Sequence, residues 1–262
     1  MSSIFFILGL FIGSFLNVVV FRLHSGMTLM GRSKCPQCKT IIAWYDNIPL
    51  VSFFLLRQKC RHCHKKISWQ YPAGELLTGA VFAVIVEGFL VAQSFANWGE
   101  IFLLLTIASF LIVIFIYDLK FMEIPMTMAW GAIIFAFLSA IFRDVVHGTD
   151  IFPHILEALL SGGGVFLFFF ALTKVSKEKW MGEGDAYVGL IVGLLLGWPG
   201  AFLALLFAFT LGALFGIGIL LFGIGTLKTQ VPFAPFLIGG LFCALIFLKT
   251  VFFDSSFLFF FL

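Results

Sequence analysis

Six residues of the sequence stand out for chemistry. Cys35 and Cys38 form one C-x2-C pair in "CPQC", and Cys60 and Cys63 form a second in "CRHC", with 21 residues between the pairs. That spacing is close to that of zinc ribbons. Each pair is expected to turn as a knuckle that presents two thiolates, and two knuckles close a tetrahedron around Zn2+. A site with four protein ligands has no open position, so the expected metal is structural. The alternatives are two disulfides, which the cytosolic placement argued below disfavours, and a relic of the fold without metal. His62 and His64 would break the symmetric spacing and are expected to face solvent. Cys243 stands alone in the last apolar run and is expected to pack.

The other two residues are Asp118, in "IYDLKFMEIP", and Asp185, in "MGEGDAYVGL". Ionisable groups in or beside apolar runs are costly and usually functional. Two carboxylates at one depth can work as an aspartic-peptidase dyad. One takes a proton from water, and the other stays protonated and donates to the scissile carbonyl. Close like charges do not both ionise, so such a pair shares one proton. The site needs room for an extended peptide, and Gly182 and Gly184 can supply it, because glycine lets another backbone approach closely. Helix capping is the competing explanation. It suits Asp185 at a helix N-terminus but not Asp118 at a C-terminus, where the dipole disfavours an anion. On the residues alone the two explanations stand level. Glu123 and Glu183 rank behind, as attractors of a basic substrate or as solvated groups; Glu87 and Glu157 receive no role.

These residues need a frame, and the composition says which kind. Of 262 residues, 61% are hydrophobic and 11% charged, and the mean hydropathy is +1.12. Soluble domains carry about 25% charged residues. So much apolar surface does not fit inside a soluble core, and the chain reads as a polytopic membrane protein. Eight apolar runs qualify as spans: 3–21, 73–93, 101–118, 125–142, 154–173, 184–198, 200–225 and 233–253. The first is a retained helix rather than a signal peptide, since its basic residues follow the apolar run, starting at Arg22. With the N-terminus outside, segments 22–72, 119–124, 174–183 and 226–232 are internal and hold 14 of the 16 basic residues. Arg143 and Lys249 are left for the other side. Asp118 and Asp185 then share the cytoplasmic rim, a match that the count of Lys and Arg did not assume.

Taken together, these motifs resemble the bacterial type IV prepilin peptidases, bifunctional leader peptidases and N-methyltransferases. "GSFLNVVVFR" (13–22) is similar to the family's opening, and the paired C-x2-C motifs follow it. "WYDNIPLVS" (44–52) and "YPAGELLTG" (71–79) are family-like. "DLKFMEIP" (118–125) matches the aspartate-to-Ile-Pro signature, and "GEGD" (182–185) matches the Gly-x-Gly-Asp motif shared with presenilin-type intramembrane aspartyl proteases. Met126 departs from the Asp or Asn often found after the Ile-Pro, a position expected to cap a helix. The resemblance implies that Asp118 and Asp185 are the catalytic pair. It also implies cleavage of a prepilin or pseudopilin leader after a glycine on the cytoplasmic side, then methylation of the new N-terminal residue from S-adenosylmethionine. No Rossmann glycine fingerprint is present. Methyl transfer requires a deprotonated amine, which a carboxylate can orient. Asp46, Asn47 and Glu75 are the candidates for this half, because they lie in the family-like cytosolic motifs; "YDNIP" also reads as a plain turn.

The expectation is therefore an all-α polytopic membrane protein of about eight transmembrane helices. Residues 1–21 form the first helix, 22–72 a small zinc-ribbon-like cytosolic module, and 73–262 the transmembrane aspartyl peptidase core. Expected partners are prepilin-like precursors and the lipid bilayer, with no nucleic acid, and the expected location is the bacterial cytoplasmic (inner) membrane. Two other classes compete. A proton-relaying transporter would want its acids near the midplane, and both leading acids lie at one rim. A zinc-dependent membrane adaptor would lose function with the cysteines and keep it without either aspartate.

Overall fold

The computed structural model of the chain describes residues 1–89, 95–147, 153–179, 181–223, 225–226 and 229–252. Among these residues the fold is helical. The elements are α1 (Ser2–His24), a 3-10 turn (Trp44–Asn47), α2 (Val51–Leu55), α3 (Gln70–Phe89), α4 (Phe95–Phe121), α5 (Met126–His147), α6 (Pro153–Ser176), α7 (Glu183–Leu221) and α8 (Ala234–Phe252). Five described helices, α1 and α4 to α7, are long and apolar enough to cross a membrane. α3 is not among them over its described length, and the apolar part of α8, Ala234–Leu248, is shorter. Phe11, Phe15, Phe102, Ile134, Leu167 and Leu214 are exposed along these helices. Such apolar surface belongs in hydrocarbon. Lys228 and the ends of the second and last expected spans, 90–93 and 253, lie outside the described residues. The chain divides into two compact units, Met1–Asn97 and Trp98–Leu262.

In the first unit, α1 packs on α3 at backbone distance. A Cβ on Gly9 would lie 2.7 Å from the Cα of Gly79, and one on Gly13 would lie 2.8 Å from the Cα of Glu75. Small residues four apart let apolar helices approach in this way. Asn17, one turn further on, donates from Nδ2 to the carbonyls of Gly13 and Tyr71, both at 3.1 Å. The segment between the two helices is held by its own backbone bonds and by Arg22. That buried guanidinium donates to the carbonyls of Thr28, Leu29, Gly31 and Arg32.

In the second unit, α7 is central. Its first half buries Asp185, Ala186, Val188, Gly189, Ile191, Val192 and Gly193. A Cβ on Gly193 would lie 2.5 Å from the Cα of Gly162, so α6 and α7 also touch at the backbone. The expected sixth and seventh spans meet inside α7 at a break, where the backbone leaves the helical region at Gly197 (φ 61°) and Trp198, just before Pro199. Proline has no N–H to donate, which is why the sequence reads as a boundary there. The break frees the Trp198 N–H, and Glu157 of α6 accepts it at 3.0 Å.

Candidate active site and metal centre

The two knuckles fold alike. In the first, the Cys35 N–H donates to the Thr40 carbonyl and the Lys39 N–H to the Cys35 carbonyl, both at 2.9 Å. In the second, Cys60 donates to Lys65 at 2.9 Å and His64 to Cys60 at 3.0 Å. Each knuckle carries one antiparallel bridge, Lys34–Ile41 or Lys59–Lys66. Each also turns through a left-handed residue at the same place, Lys39 (φ 60°) or His64 (φ 55°). The four free sulfurs of Cys35, Cys38, Cys60 and Cys63 lie within 4.8 Å of one another, with Cys35 and Cys63 4.0 Å apart. A tetrahedral zinc with Zn–S bonds of about 2.3 Å sets its sulfurs roughly 3.8 Å apart, so the cluster has the size to hold a metal. The Thr40 hydroxyl and N–H point at Cys38 and lower its thiol to about 6, and the N–H groups of Cys63 and His62 also lower Cys60. Both favour the thiolate that a metal needs. His62 and His64 are exposed, as the spacing implied.

Asp118 and Asp185 both belong to the second unit, and both are buried, at 5% and 7% exposure. α4 continues one turn past Asp118, to Phe121, so the carboxylate leaves the flank of the helix rather than its end. One of its oxygens accepts the N–H of Ala234, at the start of α8. The other, Oδ2, is buried and has no hydrogen-bond partner. Asp185 sits in the first turn of α7, where its carboxylate accepts the Gly182 N–H and lies within electrostatic reach of Asp118. The space over Gly182 opens toward the Asp185 carboxylate, with Oδ2 3.9 Å from a Cβ placed there. The space over Gly184 is taken by Ile124, 2.9 Å away. Glu183 pairs with Lys174 at 3.3 Å on the surface, and Glu123 is exposed.

Asp46, Asn47 and Glu75 border one cleft in the first unit, with a volume of about 720 Å³. The 3-10 turn that carries Asp46 and Asn47 is stabilised by a two-pronged ion pair. Arg61 donates from Nε to one Asp46 oxygen at 2.9 Å and from a terminal nitrogen to the other at 2.6 Å. These bonds hold the Asp46 carboxyl below the ordinary carboxylate range. Glu75, buried in the first turns of α3, accepts the Leu50 N–H at 2.8 Å and the Ser14 hydroxyl. Leu50 has a left-handed φ of 59°, so Glu75 anchors a strained turn of the module.

Sequence reasoning did not find Ala234, Arg61, Asn17 or the bond from Glu157. "VPFAPF" (231–236) marks a helix start between prolines, but nothing local says which acid its free N–H meets. Arg143 is buried with the charges of Glu100, Glu157 and Asp144 around it rather than simply placed at the outer rim.

The first unit carries a four-cysteine cluster and a cleft, and the second is, among the described residues, an all-helical membrane bundle that buries a pair of acids. Fold and site thus define a polytopic membrane protein of the paired-aspartate kind. The chain belongs to the type IV leader peptidase family. The model of that family matches residues 105–217, and that of the bacterial peptidase A24 N-terminal domain matches residues 7–89. A protein of Bacillus subtilis (strain 168), named prepilin leader peptidase/N-methyltransferase, is 30% identical over 241 residues, covering 92% of each chain. One of the same name from Pectobacterium carotovorum is 32% identical over 90% of each chain. A third, from Myxococcus xanthus (strain DK1622), is 36% identical over 82% of this chain, which spans 62% of that relative's length. No solved structure matches significantly.

Proposed function

We propose that the protein is an inner-membrane aspartic endopeptidase that removes the leader of type IV prepilin-like precursors and then N-methylates the new N-terminal residue. The observation that carries the peptidase reading is the burial of Asp118 and Asp185 within electrostatic reach of each other, with Asp118 Oδ2 unpaired. One carboxylate takes a proton from water, whose oxygen attacks the scissile carbonyl. The other gives that carbonyl its proton. No acyl-enzyme forms in this scheme. The precursor's apolar helix lies in the bilayer, and its basic leader stays on the face where Lys and Arg concentrate, with the N-terminus of this chain outside. Gly182 leaves room for the substrate backbone beside Asp185. Asp118→Asn and Asp185→Asn, assayed on a co-expressed prepilin, are expected to lower cleavage by at least about a thousandfold, in the range of other two-group acid–base sites. Cleavage at the wild-type rate by either variant removes the dyad.

In this reading the thiolate cluster holds one structural Zn2+ through Cys35, Cys38, Cys60 and Cys63, and the cleft takes S-adenosylmethionine beside Asp46, Asn47 and Glu75. The cleft is large enough for a ligand of that size. S-adenosylmethionine supplies an electrophilic methyl group, and the residues of the cleft place the amine. Mass spectrometry of the co-expressed prepilin reads the cut site and the added methyl group together. An unmethylated product from a chain that still cuts would remove the second activity.

A further inference from the structure

The floor of the cleft in the first unit holds a buried acceptor that no described residue satisfies. Asn17 lines it together with Ser14, Tyr71 and Glu75. The Asn17 Nδ2 already donates to two carbonyls, which fixes the orientation of the amide, since turning it over would set oxygen against oxygen. Its Oδ1 is left buried with no partner, on a side chain that is 2% exposed. A buried acceptor left without a donor is costly. Glu75 beside it is 7% exposed and is met by an N–H and a hydroxyl but by no basic side chain. A buried carboxylate without a cation and a buried carbonyl without a donor are both completed by one ligand type, an ammonium.

Resting on the proposed methyl transfer, we infer that Asn17 and Glu75 form the seat for the α-amine of the methyl acceptor. Asn17 Oδ1 accepts one N–H of the amine, and Glu75 takes the proton that must leave before transfer. The amine's lone pair then forms the N–C bond. The S–C bond of the sulfonium donor breaks, and its electron pair stays on sulfur, which departs as a thioether. The proton held by Glu75 goes to solvent. The position selects the acceptor over the donor. Asn17 and Glu75 stand on the apolar helices α1 and α3, not on the polar module above them. The amine that reaches this depth is one at the head of an apolar segment, as in a cleaved precursor. The α-amino group of the donor needs no base.

The test uses the full-length protein in detergent, S-adenosylmethionine, and a synthetic acceptor peptide with a free N-terminal amine followed by an apolar stretch. Methyl incorporation is read by mass spectrometry, and S-adenosylhomocysteine affinity by calorimetry. Asn17→Ala is expected to raise KM for the peptide about tenfold while affinity for S-adenosylhomocysteine stays within about twofold of wild type. Glu75→Gln keeps an oxygen for the Leu50 N–H but accepts no proton. It is expected to lower kcat about a hundredfold at neutral pH. Its rate should recover as the pH rises past about 8, where a free α-amine loses its proton unaided. Wild-type KM and an unchanged pH profile in both variants would overturn the seat. So would loss of S-adenosylhomocysteine affinity at an unchanged peptide KM, because the floor would then belong to the donor's own amino group. A wild-type protein that cleaves prepilin but methylates nothing sinks the methyltransferase reading itself, and the amine seat with it.

Discussion

Ile124 fills the space that a side chain at residue 184 would occupy, its Cβ lying 2.9 Å from where a Cβ on Gly184 would stand. Ile124 belongs to the Asp118 motif and Gly184 to the Asp185 motif, so the two acidic segments fit directly into each other. The glycine nearest Asp185 is thus explained by packing, and in the proposed peptidase reading substrate clearance is left to Gly182.

Gly184→Ala and Gly182→Ala should therefore behave differently. A methyl group at 184 meets the branched carbon of Ile124 and displaces one motif against the other, at a cost of about 1–3 kcal/mol. Misplacement of reacting groups by an ångström lowers rates about a hundredfold, so kcat for leader cleavage should fall between about 10- and 100-fold with KM nearly constant. At residue 182 a methyl group meets no described atom closer than the Asp185 carboxylate, 3.9 Å away; it narrows the approach to that carboxylate, and KM should rise instead. Steady-state kinetics on a prepilin peptide separate the two. Identical effects from both variants would contradict the division of roles.

Ala234→Pro deletes one hydrogen-bond donor to Asp118; the backbone tolerates proline in the first turn of a helix, but the site is fully buried, so the ring also adds bulk there. Hydrogen bonds to charged groups contribute about 1.5–3 kcal/mol. The expected outcome is a cleavage kcat lowered about 10- to 100-fold in the fraction of protein that stays folded, with the unfolding midpoint measured alongside because the ring overpacks the core. Wild-type kcat would mean that the amide does not orient the acid.

Metal analysis of the purified chain should find one zinc per molecule, held by thiolates that Cys35→Ser or Cys60→Ser removes. A strong chelator should release it and expose residues 22–72 to proteolysis, because a segment this small has little core of its own. A chelated chain as resistant to protease as the loaded one would refute a structural role for the metal.

The Asp46–Arg61 clip sets a pH expectation. Arg61 holds the Asp46 carboxyl below its ordinary value, mainly through the direct hydrogen bond. A carboxylate depressed by folding contributes stability above its unfolded value of about 3.9, and that contribution is lost only as pH falls through the lower folded value. From about pH 5 to 8 the clip should stay closed, and the ratio of wild-type to Arg61→Ala methylation rates should stay flat. A ratio that drifts across that range would show that another group controls the turn.

What the sequence disclosed follows from how local each signal is. The apolar runs and the C-x2-C pairs are continuous stretches, and the structure folds them as helices and matched knuckles. Asp118 and Asp185 were legible as a pair because both motifs sit beside long apolar runs. Their surroundings were not, since Ala234 and Ile124 reach them through the packing of separate helices. The break in α7 was visible at Trp198-Pro199, but the partner of its freed N–H was not, because it is Glu157, a residue to which the sequence assigned nothing. Asn17 read as one polar residue in an apolar run, and its unsatisfied oxygen exists only because α1 and α3 meet.

The contact of Gly9 with Gly79 and of Gly13 with Glu75 joins the two helices through their backbones, on either side of everything from residue 25 to residue 69. The cysteine-bearing segment is in that sense an insertion into a helical hairpin that is already closed. Those close approaches are made by residues of α1 and α3 alone. Replacing the segment by a short flexible loop should therefore leave α1 and α3 paired. A lineage could lengthen, trim or discard the insert without redesigning the membrane part that carries it.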